Sequence, residues 1–150
     1  MSKLFNKFDI LFINKMHRWA IPFLRIALGI IFLWFGALKI FGVSPVAELV
    51  AKTYYFLPTK DFLFILGIWE VSIGLGLIFK IALRVTLALL WLQMAGTLMS
   101  FFLMPTLFFN NGNILLLTAE GEFVVKNLVL IAAGLVIGGY EVKNEQIIQR

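Results

Sequence analysis

The run GIWEVSIGLG, residues 67–76, carries one ionisable group, Glu70, among apolar and small side chains. Upstream, Arg25, Gly29, Phe32, Gly36 and Lys39 recur at steps of four and three, which places two cations and two glycines on one stripe of a helix. Gly67, Glu70 and Gly74 make a second such stripe. A carboxylate flanked by cations can be tuned for proton transfer. Glu70 is therefore the candidate catalytic residue. Arg25, Lys39 and Lys126 would give positive potential to a quinone-like or small anionic substrate, Gln93 a polar contact, and Trp34 and Trp69 an apolar wall.

Other chemistries are closed to this chain by composition. It has no cysteine, so no disulfide relay, thiol nucleophile or cysteine-ligated cluster can be built from it. His17 is its one histidine, which excludes a bis-histidine haem or a histidine-rich metal centre within the chain. No metal site is expected.

The elements that position these groups follow from hydropathy. Of 150 residues, 61% are hydrophobic and 14% charged, against roughly 45–50% and 25% in soluble domains. A domain of this size buries only about 70% of its unfolded surface, so the excess needs lipid as solvent. Residues 20–41, 62–79, 81–104 and 123–140 are each apolar over about the 20 residues that a crossing helix requires. They are greasy nearly all round, unlike the two-faced helices of a soluble bundle. Pro45, Pro58, Pro105 and the run Asn110-Asn111-Gly112-Asn113 punctuate their ends. The short link at Lys80 predicts an antiparallel hairpin of the second and third spans.

The expected fold is thus all-α, an integral membrane four-helix bundle in a single domain of residues 19–140. Residues 1–18, with Leu4, Phe5, Phe8, Leu11 and Phe12 at helical spacing, are expected to lie as an amphipathic segment in the interface. Residues 141–150 form a polar tail. Lys3, Lys7, Lys15, Arg18, Lys80, Arg84, Lys143 and Arg150 fall on one side of the spans; on the other, Lys39, Lys52, Lys60 and Lys126 are accompanied by the acidic Glu48, Asp61, Glu120 and Glu122. That bias predicts cytoplasmic N- and C-termini, with Trp19 and Tyr140 at the inner interface and Tyr54 and Tyr55 at the outer one. The net charge of +5 reads as membrane orientation and calls for no nucleic acid.

Small residues let helices approach, and a polar group on a small-residue stripe faces the bundle interior, so the two stripes should meet. At about 1.5 Å of rise per residue, Glu70 sits roughly 13 Å below the outer surface, about 10 Å along the axis from Arg25 and from Lys39. Gln93, Thr97 and Ser100 form a polar stripe on the third span, suited to interhelical hydrogen bonds. Taken alone, Lys39 would snorkel to the interface, and Gly134 and Gly138 would serve packing.

The segments RIALGIIFLWFGALKIFG, GIWEVSIGLGLIF and LTAEGEFVVKNLVLIAAGLVIGG together resemble the DoxX family of small four-helix membrane proteins. The resemblance runs over residues 25–139. It is carried by Arg25, Leu28, Gly29, Phe32, Gly36 and Lys39, then Glu70 and Gly74, then Gly121 and Lys126. It implies a multi-pass protein of a bacterial inner membrane, associated with quinone-linked redox chemistry or oxidative-stress resistance. No cofactor is expected to be covalently bound, and quinone is the candidate noncovalent one. Expected partners are the lipid bilayer and either a membrane redox protein or further copies of the chain. The competing expectation is a scaffold or small permease in which Glu70 and a cation only hold helix register. In either case residues 43–58 and 106–121 would form an extracytoplasmic cap or partner surface.

Overall fold

The structure, a computed structural model, describes residues 2–142, with side chains from residue 8 onward. The interfacial residues Leu4 and Phe5, and the topology markers Lys3, Lys7, Lys143 and Arg150, lie outside the described side chains. Six α-helices follow in order: α1 Ser2–Ile40, α2 Ala47–Thr53, α3 Thr59–Phe79, α4 Leu83–Leu103, α5 Pro105–Phe108 and α6 Ala119–Ile137. The last runs into a π turn, Gly138–Val142. Four segments, Phe8–Ile40, Thr59–Phe79, Leu83–Leu103 and Ala119–Val142, are long and apolar enough to cross a membrane.

One boundary differs from expectation. Residues 2–40 form a single helix, with no break between an interfacial segment and a first span. Pro22 costs the backbone one hydrogen bond, yet the helix runs through it. At about 1.5 Å per residue this helix is roughly 58 Å long, near twice a hydrocarbon core. Residues 8–20 are all exposed, so that length projects beyond the bundle.

The bundle runs up, down, up and down. α1 and α3 lie antiparallel with glycine against glycine: a Cβ at Gly36 would stand 2.7 Å from the Gly67 carbonyl oxygen, and one at Gly74 would stand 2.7 Å from that of Gly29. No real Cβ tolerates such a distance, so only glycine permits this backbone approach. The two stripes meet as expected. The α3–α4 hairpin turns through residues 80–82, with Lys80 and Ala82 at φ 57° and 42°. In the α4–α6 contact, Gly134 packs on Trp91 and Leu90, and Gly138 on Leu87.

Packing divides the bundle into two halves. Near the end that holds the hairpin, Leu28, Ile73, Leu77, Leu87, Leu90 and Ile137 belong to one solid core. The opposite half is roofed by α2 and by residues 104–118, and it is hollow. Phe108, on the inner side of that roof, is fully buried. Thr118 ties the roof to α6: its hydroxyl donates to the Leu107 carbonyl at 2.7 Å and accepts from the Gly121 N–H at 3.1 Å. The outer surface carries large exposed apolar side chains such as Phe23, Trp34, Ile65, Leu92 and Val129. An apolar girdle so extensive is a face for lipid rather than water.

Candidate functional site

Glu70 stands at the boundary between the solid and hollow halves, 7% exposed. Lys39 of α1 donates to its Oε2 from Nζ at 2.6 Å. Gln93 of α4 donates to its Oε1 from Nε2 at 2.8 Å. Three helices thereby converge on one carboxylate. Glycine contact brings α1 within lysine reach of α3, and a charge-assisted bond of this length is among the stronger kinds.

Lys39 does not snorkel. It is 8% exposed and its ammonium turns inward to Glu70. Moving an unpaired ammonium or carboxylate out of water costs several kcal/mol or more, so each group makes the other's burial tolerable.

The pair forms the floor of a cavity of about 490 Å³ under the roof. Phe35, Leu49, Phe62, Leu66 and Leu130 supply much of its apolar wall, and Trp69 lines it too. The Trp69 indole N–H donates to the Leu89 carbonyl at 3.1 Å, which pins α3 to α4 beside the floor. Among the described residues, Lys39 and Glu70 supply the one positive and the one negative side chain on the lining. Tyr54, at the end of α2, also lines it and donates to the Gly96 carbonyl at 2.7 Å. Burial pushes its phenol above the ordinary value, so at neutral pH it remains an uncharged donor.

Other candidates fall elsewhere. Arg25 does not approach Glu70. It lies at the hairpin end, where Nε is 3.2 Å from Glu141 Oε1 and its guanidinium donates to the Leu77 and Ile78 carbonyls, the latter at 2.9 Å. Lys80 Nζ comes to 3.4 Å from Glu141 Oε2. The last carbonyls of α3 lack intrahelical partners, and the guanidinium satisfies two of them, so Arg25 acts as a clamp there. Axial spacing alone could not choose between Arg25 and Lys39. The inward lean of Lys39 and the acceptor-rich end of α3 decided it.

Lys126 is likewise no part of the cluster: it is exposed and pairs along its own helix with Glu122 at 3.6 Å. Trp34 is 65% exposed and faces outward, so the wall role falls to Trp69 alone. Thr97 and Ser100 line the cavity but bond to carbonyls of their own helix, those of Gln93 and Thr97, leaving Gln93 as the interhelical member of that stripe.

Two deeply buried polar residues of the lining were missing from the sequence candidates. Asn127 of α6 is 8% exposed and Thr53 of α2 is 2% exposed. The Thr53 hydroxyl is buried with no hydrogen-bond partner among the described residues, and Asn127 takes part in none of the side-chain hydrogen bonds found among them. An amide in the middle of a span was a signal in plain view, one residue from the more conspicuous Lys126. Thr53 gave none, because a threonine in a loop is ordinary.

Fold and site together define a helical bundle with four segments fit to cross a membrane and a carboxylate held by an ammonium and an amide beside an apolar chamber. Comparison of the chain with protein-family models, curated proteins and solved structures finds no match.

Proposed function

We propose that the chain is a DoxX-like, multi-pass protein of a bacterial inner membrane, with both termini cytoplasmic. In this reading it is a redox-associated subunit that binds a quinone or a small anionic substrate in the chamber beside Glu70. The observation that carries it is the chamber itself: about 490 Å³, apolar, with a buried ion pair in its floor. Membrane ligand sites have this character, apolar walls with a few placed polar groups. An intramembrane carboxylate is by default a functional group. Reduction of a quinone by two electrons takes up two protons, and in this reading Glu70 accepts each from water entering the chamber and passes it to the bound head, while Lys39 steadies the carboxylate between transfers. Electrons would come from a membrane redox partner.

The test is purification from native membranes in mild detergent, with mass spectrometry of co-purifying lipids and quinones. A stoichiometric quinone is the expected outcome. Glu70→Gln should abolish a quinone- or oxidant-linked phenotype at normal membrane levels of the protein.

A scaffold role is the second reading, and it also has a specific observation in its favour: both Glu70 oxygens are already bonded. In that case Glu70→Gln would lower the amount of folded protein and the phenotype in equal measure. A permease is less well served, since the packed layer of Leu28, Ile73 and Ile137 lies across any path to the hairpin side.

A further inference from the structure

We infer that the chamber selects a neutral, carbonyl-bearing ring head with an apolar tail, and that Asn127 and Thr53 are the residues that hold the head. The inference deepens the proposed function and rests on the chamber being a ligand site. Charge comes first. Among the described residues the lining holds one cation and one anion, paired with each other at 2.6 Å. An anionic head would have to open that pair or sit uncompensated among apolar walls, at the high cost of a buried unpaired charge. A neutral head meets neither penalty.

Hydrogen-bonding capacity comes second. Glu70 is engaged at both oxygens, Gln93 through its amide nitrogen, and Thr97, Ser100 and Tyr54 with backbone carbonyls. Of the lining side chains that are polar and more than nine-tenths buried, the Asn127 amide and the Thr53 hydroxyl are the two that form no hydrogen bond with a described residue. Buried polar groups in native proteins are as a rule satisfied, so these two are the deeply buried lining groups that call for a partner. An amide N–H and a hydroxyl suit carbonyl oxygens. They sit on α6 and α2, two different elements of the lining, so a ring with more than one carbonyl fits the arrangement better than a head with a single acceptor.

The test uses the full chain in lipid nanodiscs, with thermal unfolding titrated by two probes of equal tail length: an oxidised decyl-benzoquinone and decanesulfonate. The benzoquinone should raise the midpoint and the sulfonate should not. Asn127→Leu should weaken the apparent benzoquinone affinity about tenfold, and Thr53→Val by a smaller factor, as loss of single hydrogen bonds does. If Asn127→Leu does not accumulate, Asn127→Asp, which keeps the size and loses the N–H donors, serves in its place. Unchanged benzoquinone affinity in these variants overturns the inference and leaves the chamber as a quinone site. Sulfonate binding that depends on Lys39 overturns it in favour of an anionic head. No midpoint shift with either probe in the parent chain overturns both the inference and the proposed function.

Discussion

Lys39 and Glu70 are worth more as a pair than either is alone. Removing one partner of a buried ion pair leaves a bare charge and typically costs about 3–5 kcal/mol, whereas replacing both by apolar groups can be near neutral. Lys39→Met should therefore sharply lower the thermal midpoint in detergent, and Lys39→Met with Glu70→Leu should recover most of the loss. A double variant as unstable as the single would show that packing around the floor, rather than charge, is at stake. Arg25→Met should also destabilise, because it uncaps two α3 carbonyls and removes the Arg25–Glu141 ion pair, leaving Lys80 as the near cation of Glu141 among the described residues. Its benzoquinone affinity should stay within about twofold, since sites without shared partners behave additively. A large drop in affinity would couple the two ends of the bundle.

At the scale of elements, the contact of α1 with α3 decides whether a site exists at all. Gly36 and Gly67 touch backbone to backbone, so a side chain at either must push the helices apart. Overpacking typically costs about 1–3 kcal/mol in a core, and here the displaced parts are backbones. Gly36→Leu should thus reduce folded protein in the membrane, and any protein recovered should have lost benzoquinone binding because Lys39 no longer reaches Glu70. Size-exclusion profiles and the nanodisc titration check both parts. Gly96 is the contrast: a Cβ there meets nothing within 4 Å, and Gly96→Ala should leave stability within about 0.5 kcal/mol. The roof helix α2 is held differently, with an exposed Glu48–Lys52 pair at 2.7 Å on its outer side and Thr53 buried beneath. Exposed pairs of this kind contribute little, so the roof is secured by its apolar underside.

For the whole molecule, the absence of cysteine makes topology directly measurable. Cysteine placed at Lys60, at the start of α3, and at Ala82, in the hairpin, occupies exposed positions at opposite ends of the bundle. With cytoplasmic termini, an impermeant maleimide should label Lys60→Cys in intact cells and Ala82→Cys only after lysis. The reverse pattern would invert the proposed orientation and move the chamber to the cytoplasmic half. The division into a solid half and a hollow half is likewise a property of the whole. It places a packed layer between the chamber and the hairpin side, so the ligand is expected to enter from the roof or from lipid.

Composition and spacing by themselves determined the helical class, the four segments long and apolar enough to cross a membrane, the hairpin at Lys80 and the facing glycine stripes. Each depends on local physics: hydropathy per residue, the pitch of a helix, and the lack of a side chain at glycine. They also marked Glu70 as buried beside a cation. Only the tertiary structure decided that the cation is Lys39, that Arg25 caps α3, that Lys126 and Trp34 face outward, and that Asn127 and Thr53 line a chamber. Those outcomes depend on the rotation of each helix about its axis and on side-chain reach across a gap. A helix hydrophobic on every face leaves its rotation unspecified until its neighbours are in place.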